Sequence, residues 1–329
     1  MTAIAATVQA FFTEYLITQR QVSGHTIAAY RDVVRMLLSF TAKRTGIACH
    51  RLDFSHLDAV AVAAFLDYLE HQRGNSVRTR NARLAAIHSL FSFAALRHPE
   101  HADDIHRVLA IPAKRGDHAI VTYLTDIEVQ ALLAAPNRGT RTGRRDHAML
   151  CLAIQTGLRA SELASLNCRD VHLGTGAHVY CRGKGRKERI TPLTTHTKTV
   201  LRAWLSERAG QPDHPLFTTT RGGPLSLDAL AQRVAVHAAA AAPSCSSLAS
   251  KNVTPHVLRH TAAMRLLHAG VDTTVIALWL GHVDVTTTRI YLDADLALKQ
   301  QALDKTAPTT TAPGRYQPPD NLIAFLEAL

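Results

Sequence analysis

One stretch clearly breaks the helical spacing of apolar side chains along these 329 residues. It is "AHVYCRGKGRKERITPL", residues 177–193, where "HVYC" and "RIT" alternate around the tip "GKGRK". A period of two on both sides of a glycine-bearing turn specifies a β-hairpin. Elsewhere the apolar period is helical. The expected fold is therefore mainly α, with a small β-hairpin or sheet in the second of two domains.

Helices are expected over residues 4–19, 26–42, 57–72 and 76–96 of the first domain, the third stopped by Gly74. Residues 98–124 carry Pro99, Pro112 and Gly116 with little periodicity, and read as a connection. A second domain begins near "LTDIEVQALLAA", where Thr125 can cap a helix. Its further helices are expected at 194–208, 226–242, 255–269, 272–280 and 294–304. The division is 1–105, linker 106–123, second domain 124–304, and tether with a C-terminal helix 305–329. In that last segment "TAPTTTAPGRYQPP" reads as a flexible linker. Leu322, Phe325, Leu326 and Leu329 then share one face of a short helix that needs a groove to bury in.

Lys and Arg number 37 against 26 Asp and Glu. The excess is split as +5 in residues 1–115 and +6 in residues 116–304, so both domains are suited to one polyanion. The five cysteines form no CxxC pair and read as free thiols of a reducing compartment. The N-terminus lacks a basic region before its apolar residues, and no run is long enough to span a membrane. A cytoplasmic, nucleoid-associated protein is expected.

Several short motifs carry possible chemistry. The apolar run "HAMLCLAIQ" ends near Gly157, a natural helix stop, and "LRASEL" follows. Arg159 then sits near a helix start, where the dipole does not help a cation. It can be a structural partner of Glu162 or a ligand for an anion. In "TPHVLRHTAAMRLLHAG", His256, Arg259 and His260 fall at i, i+3 and i+4 and share a face. Two histidines at that spacing can bind a metal. A guanidinium among them would repel a cation and suits a phosphate better. "GKGRKER" is no phosphate-binding P-loop, because no helix start follows it. Arg78, Arg80 and Arg83 make the first half of helix 76–96 basic, against the dipole; they form either a solvated helix start or, as expected here, a surface that faces DNA, and the hairpin is either a solvated basic turn or a DNA contact through Lys187 and Arg189. "WLGHVDVTTTRIY" places Tyr291 nine residues after His282; taken alone, a tyrosine there reads as core.

The ordered set "TGLRASEL", "GKGRKER", "HVLRHTAA", "LGH" and "IY" resembles the tyrosine recombinases of the phage integrase family, over nearly the whole chain. The resemblance implies a two-domain DNA clamp: a helical, SAM-like core-binding domain and an α+β catalytic domain. It implies catalytic roles for Arg159, Lys184, His256, Arg259, His282 and Tyr291. The Tyr291 phenol would attack phosphorus, displace the 5′-oxygen and leave a 3′-phosphotyrosine, with no cofactor and no metal. The partner implied is double-stranded DNA with inverted-repeat core sites, bound by a homo-tetramer or a hetero-tetramer with related recombinases. The resulting activity is integration or transposition of a mobile element. A type IB topoisomerase would share the chemistry without synapsis, and a non-catalytic DNA-binding protein would need no nucleophile.

Overall fold

The computed structural model describes residues 2–116, 121–183 and 188–281. The chain divides into two compact units, Met1–Ala119 and Ile120–Leu329.

In the first unit α1, Ala3–Ala10, runs on without a break as a π-helical segment, Phe11–Gln19. Then come α2 (Gly24–Thr45), α3 (Ala59–Asp67, prolonged by π-helical Tyr68–Gln72) and α4 (Val77–Ala95). The starts follow from capping chemistry. Ser23, Asp58 and Ser76 each accept a hydrogen bond from the backbone N–H three residues on, at 3.3, 2.7 and 3.3 Å. Leu37, Phe65, Leu84, Ile87 and Phe91 form the core between these helices.

The expected loop at 98–124 is corrected in part. Pro99 opens a 3₁₀ turn, and a fifth helix, α5, spans Ala102–Leu109. Ile105 and Val108 of α5 are fully buried in the first unit's core. Eight residues offer only two turns of periodicity, too few to stand out beside two prolines.

The second unit opens with α6, Asp126–Ala134, under a reciprocal cap of Thr125 and Glu128. The central helix α7, Arg141–Thr156, is buried along most of its length, and of its basic start Arg145 is buried while Arg141 is exposed. There Asp146, fully buried, takes hydrogen bonds from Arg145 at 2.6 Å and Arg233 at 2.7 Å, with His237 Nε2 at 2.8 Å. A short α8, Ala160–Ser165, leads to strands β1 (Val171–His172), β2 (His178–Arg182) and β3 (Glu188–Pro192).

The strands form one antiparallel sheet in the order β1-β2-β3, with Cys181 opposite Arg189. The expected hairpin is thus present, with a third strand on its edge. Helices α9 (Thr195–Arg208), α10 (Leu227–Ala241), α11 (Pro255–His268) and α12 (Thr273–Leu280) complete the described unit. Among the described residues no helix is long and apolar enough to cross a membrane. The helices expected at 294–304 and 320–329 lie outside the described residues.

Candidate active site

The site is built where the C-terminal ends of α7 and α12 meet the start of α11. Gly157 ends α7 at φ 64°. A Cβ there would lie 2.6 Å from Leu280 Cδ2 and 3.1 Å from Ala262 Cβ, so glycine serves both the left-handed turn and the close approach. Gly281 ends α12 in the same way, at φ 66°. The chain leaves Gly157 through buried Leu158, and Arg159 becomes the residue that precedes α8.

Arg159 is held at three points. Its backbone N–H donates to Glu162 Oε2 at 2.8 Å, its Nη1 to Glu162 Oε1 at 2.8 Å, and its Nη2 to the Gly281 carbonyl at 3.0 Å. Arg259, buried on α11, donates from Nη1 to the Gly157 carbonyl at 2.7 Å and from Nη2 to the Leu280 carbonyl at 2.8 Å. The two guanidinium groups therefore meet consecutive carbonyls, those of Leu280 and Gly281. His256 and His260 stand on the same helix with ring centroids 4.2 Å apart and planes at 71°. His256, in the first turn after Pro255, is exposed.

The sequence placed Arg189 on DNA; the geometry corrects this. Its guanidinium forks onto Glu162, Nη1 to Oε1 at 3.0 Å and Nη2 to Oε2 at 2.7 Å, with the side chain only 11 % exposed. Glu162 thus accepts four hydrogen bonds while almost wholly buried. Burial by itself would raise its pKa, but Arg189, the Arg159 backbone N–H and the Arg159 guanidinium hold it down at about 2. Burial, with the Glu162 charge, pushes the Cys181 thiol up to about 11, against the lowering charges of Arg189, Arg159 and Arg259. Glu162 pairs with the guanidinium groups of Arg159 and Arg189, while Arg259 donates to carbonyls, so one carboxylate stands against three cations and the cluster keeps net positive charge for an anion.

Arg80 is also corrected. Its side chain is 7 % exposed, donates to the Pro112 carbonyl at 3.1 Å and approaches Glu70 at 4.0 Å. It ties α4 to the segment after α5 and is turned away from solvent. Arg83 is half-buried, and burial with neighbouring Arg73 lowers its pKa. Arg78 is exposed. Arg78→Ala is expected to lower the salt dependence of DNA binding by about one unit of log–log slope, the loss of one phosphate contact. Arg80→Ala should leave that slope unchanged and lower the unfolding midpoint instead. Titration of DNA at several salt concentrations distinguishes the two, and equal slopes for Arg78→Ala and wild type would remove Arg78 from the interface.

Lys184, Lys187, His282 and Tyr291 lie outside the described residues. Arg189 as a clamp was not legible, because no local pattern links it to a carboxylate 27 positions earlier. Glu162 was visible as a partner of Arg159 through its spacing of three.

The sequence of residues 122–297 matches the phage integrase family, and residues 10–98 match the phage integrase N-terminal SAM-like domain. A Sinorhizobium fredii protein described as an integrase/recombinase, y4rC, is 51 % identical over 327 residues, 99 % of this chain and 98 % of its own. The tyrosine recombinase XerC of Pelobacter propionicus is 32 % identical over 305 residues, 92 % of this chain and 95 % of its own. Among solved structures, the XerH site-specific recombinase bound to palindromic difH substrate aligns with a TM-score of 0.66 at 23 % identity, over 85 % of this chain and 79 % of that one. The Tn1549 transposon integrase in complex with transposon right end DNA aligns with a TM-score of 0.67 at 17 % identity, over 94 % and 100 %. The likeness is one of fold for both structures, and it spans both units.

Proposed function

The chain belongs to the phage integrase family, and on that premise we propose that it is a site-specific DNA recombinase acting in the integration or transposition of a mobile element. The observation that carries this is the meeting of Arg159 and Arg259 at consecutive carbonyls beside a surplus of positive charge. That arrangement suits the two non-bridging oxygens of a phosphodiester.

In the proposed reaction the Tyr291 oxygen attacks phosphorus at one strand of double-stranded DNA. The P–O bond to the 5′-oxygen breaks as the bond to tyrosine forms. One ester replaces another, so no external energy source is required. A phenol has a pKa of about 10 and needs a proton acceptor; exposed His256 fills that role. Lys184 gives a proton to the departing 5′-oxygen. Arg159 and Arg259 neutralise charge gathering on the non-bridging oxygens, and His282 adds a hydrogen bond to them. The 5′-hydroxyl released at the other site then attacks phosphorus, the bond to the tyrosine oxygen breaks, and that oxygen takes up a proton, restoring the enzyme.

The solved relatives named above are complexes with DNA, which supports double-stranded DNA as the partner; the palindromic difH substrate supports inverted-repeat core sites. Four subunits, of this chain or of this chain with sister recombinases, would synapse two such sites. The C-terminal segment 320–329 would supply the contact between neighbours.

The decisive experiment uses DNA recovered by in vitro selection for binding to the full chain. An SDS-stable protein–DNA band, formed in EDTA, together with exchange between two sites, is the expected result. A band without exchange would indicate a topoisomerase. Binding without a band would indicate a non-catalytic DNA-binding protein.

Lys184→Ala is expected to slow cleavage by roughly 10²–10⁴-fold, the usual contribution of a positioned acid. A substrate with sulfur at the bridging 5′-position leaves without that proton and should restore most of the rate. Equal defects on both substrates would make Lys184 a DNA contact only.

A further inference from the structure

Among the described residues, one group of three metal-ligating side chains lies outside the arginine cluster: His147, Cys151 and His196. Their donor atoms all fall within 4.8 Å of one another. His147 and Cys151 sit one turn apart on α7 and are buried, while His196 is exposed in the first turn of α9. The proposed reaction uses none of them.

Three features suit a cation. The first is the state of His147. Its Nδ1 is 2.9 Å from the Leu133 carbonyl, which can only accept, so Nδ1 carries the proton and Nε2 the lone pair. The Arg138 guanidinium at 3.4 Å from the same Nδ1 is too far to compete. Burial, with Arg138, lowers the His147 pKa. An imidazole whose far nitrogen is fixed on a carbonyl is the usual arrangement of a metal-bound histidine.

The second is spacing. Cys151 Sγ lies 3.6 Å from His147 Nε2. A tetrahedral zinc ion with Zn–S of about 2.3 Å and Zn–N of about 2.05 Å separates its sulfur and nitrogen ligands by about 3.6 Å. The third is accessibility. Exposed His196 closes the cluster on the solvent side, where an ion can enter.

We propose that His147 Nε2, Cys151 Sγ and a ring nitrogen of His196 form a binding site for a zinc-class divalent cation, with a fourth position open to water. Binding releases one proton: the Cys151 S–H bond breaks, sulfur bonds the metal, and the proton goes to solvent. Without metal, burial pushes the thiol up to about 11, so it stays protonated, and nearby Arg138 offsets only part of this. Arg138 is exposed and carries one charge; the thiolate cancels one of the two charges of the cation. The ion would pin α9 to the middle of α7. Cys151 stands eight residues before Arg159, and His196 seven residues after Arg189, so the site braces the two segments whose arginines share Glu162.

The test uses the full chain, reduced and stripped with EDTA, then titrated with Co²⁺. One equivalent should give a thiolate-to-cobalt charge-transfer absorption that Zn²⁺ displaces. Cys151→Ser and His196→Ala should each abolish it. His196 is exposed, so its variant folds independently of the site and keeps the result interpretable. Zn²⁺ at about a hundredfold excess over its Kd should raise the Tm of the wild type by about 5 °C and that of His196→Ala by none. Absence of the absorption overturns the proposal, leaving a thiol–imidazole hydrogen bond. So does an absorption that survives in both variants, because the other four cysteines would then hold the metal.

Discussion

Tyr291→Phe is expected to bind DNA with the wild-type Kd and to form no SDS-stable protein–DNA adduct. The substitution removes one oxygen atom and keeps the aromatic ring. If that oxygen is the nucleophile, no other group of the chain can form the phosphotyrosyl ester, and the loss is complete. The arginines would be untouched, so phosphate affinity should persist. Denaturing electrophoresis after incubation with a nicked substrate reads the adduct; a mobility shift reads binding. An adduct formed by the phenylalanine variant would sink the assignment of Tyr291.

Glu162→Gln is expected to destabilise the second unit by about 3 kcal/mol, as removal of one partner from a buried ion pair does. The carboxylate accepts from Arg159 and from both nitrogens of the Arg189 fork, and glutamine would turn an amide donor toward those donors. The pH dependence should change with it. The folded pKa of Glu162, about 2, lies below the ordinary 4.5, so the unfolded chain binds more protons between those values. The stabilisation is fully present above about pH 4.5 and is lost as pH falls toward 2. A shift of that size corresponds to about 3 kcal/mol, the same magnitude as the ion-pair argument gives. Urea unfolding from pH 7 down to pH 2 should show this loss in the wild type and its absence in the variant. Cleavage should fall as well, by roughly 10²-fold, because Arg159 loses the group that orients it. A variant with the wild-type urea midpoint at neutral pH would remove Glu162 from its place at the centre of the site.

The sequence by itself determined the class of fold, most of the helix starts and the set of reactive residue types. Serines and aspartates cap their own helices, Gly157 accepts a left-handed φ, and alternation in 178–191 makes a hairpin; each of these acts over a few residues. The order of "TGLRASEL", "HVLRHTAA" and "LGH" likewise sufficed to indicate the family, since it depends on residue identity and order alone. Tertiary structure decided which cations are committed and which are available. Arg78 and Arg80 are two positions apart with the same charge, yet one is exposed and the other donates to the Pro112 carbonyl from inside the first unit. Arg189 reads as a basic hairpin residue until the sheet brings it onto Glu162. His147 and Cys151 show a helical spacing, but His196 joins them from 45 residues further on, through the packing of α9 on α7. The physical reason is the same in each case. Capping and periodicity are short-range and are written in neighbouring residues. The neutralisation of a buried charge and the convergence of donor atoms depend on distances through space, which exist only once the helices have packed.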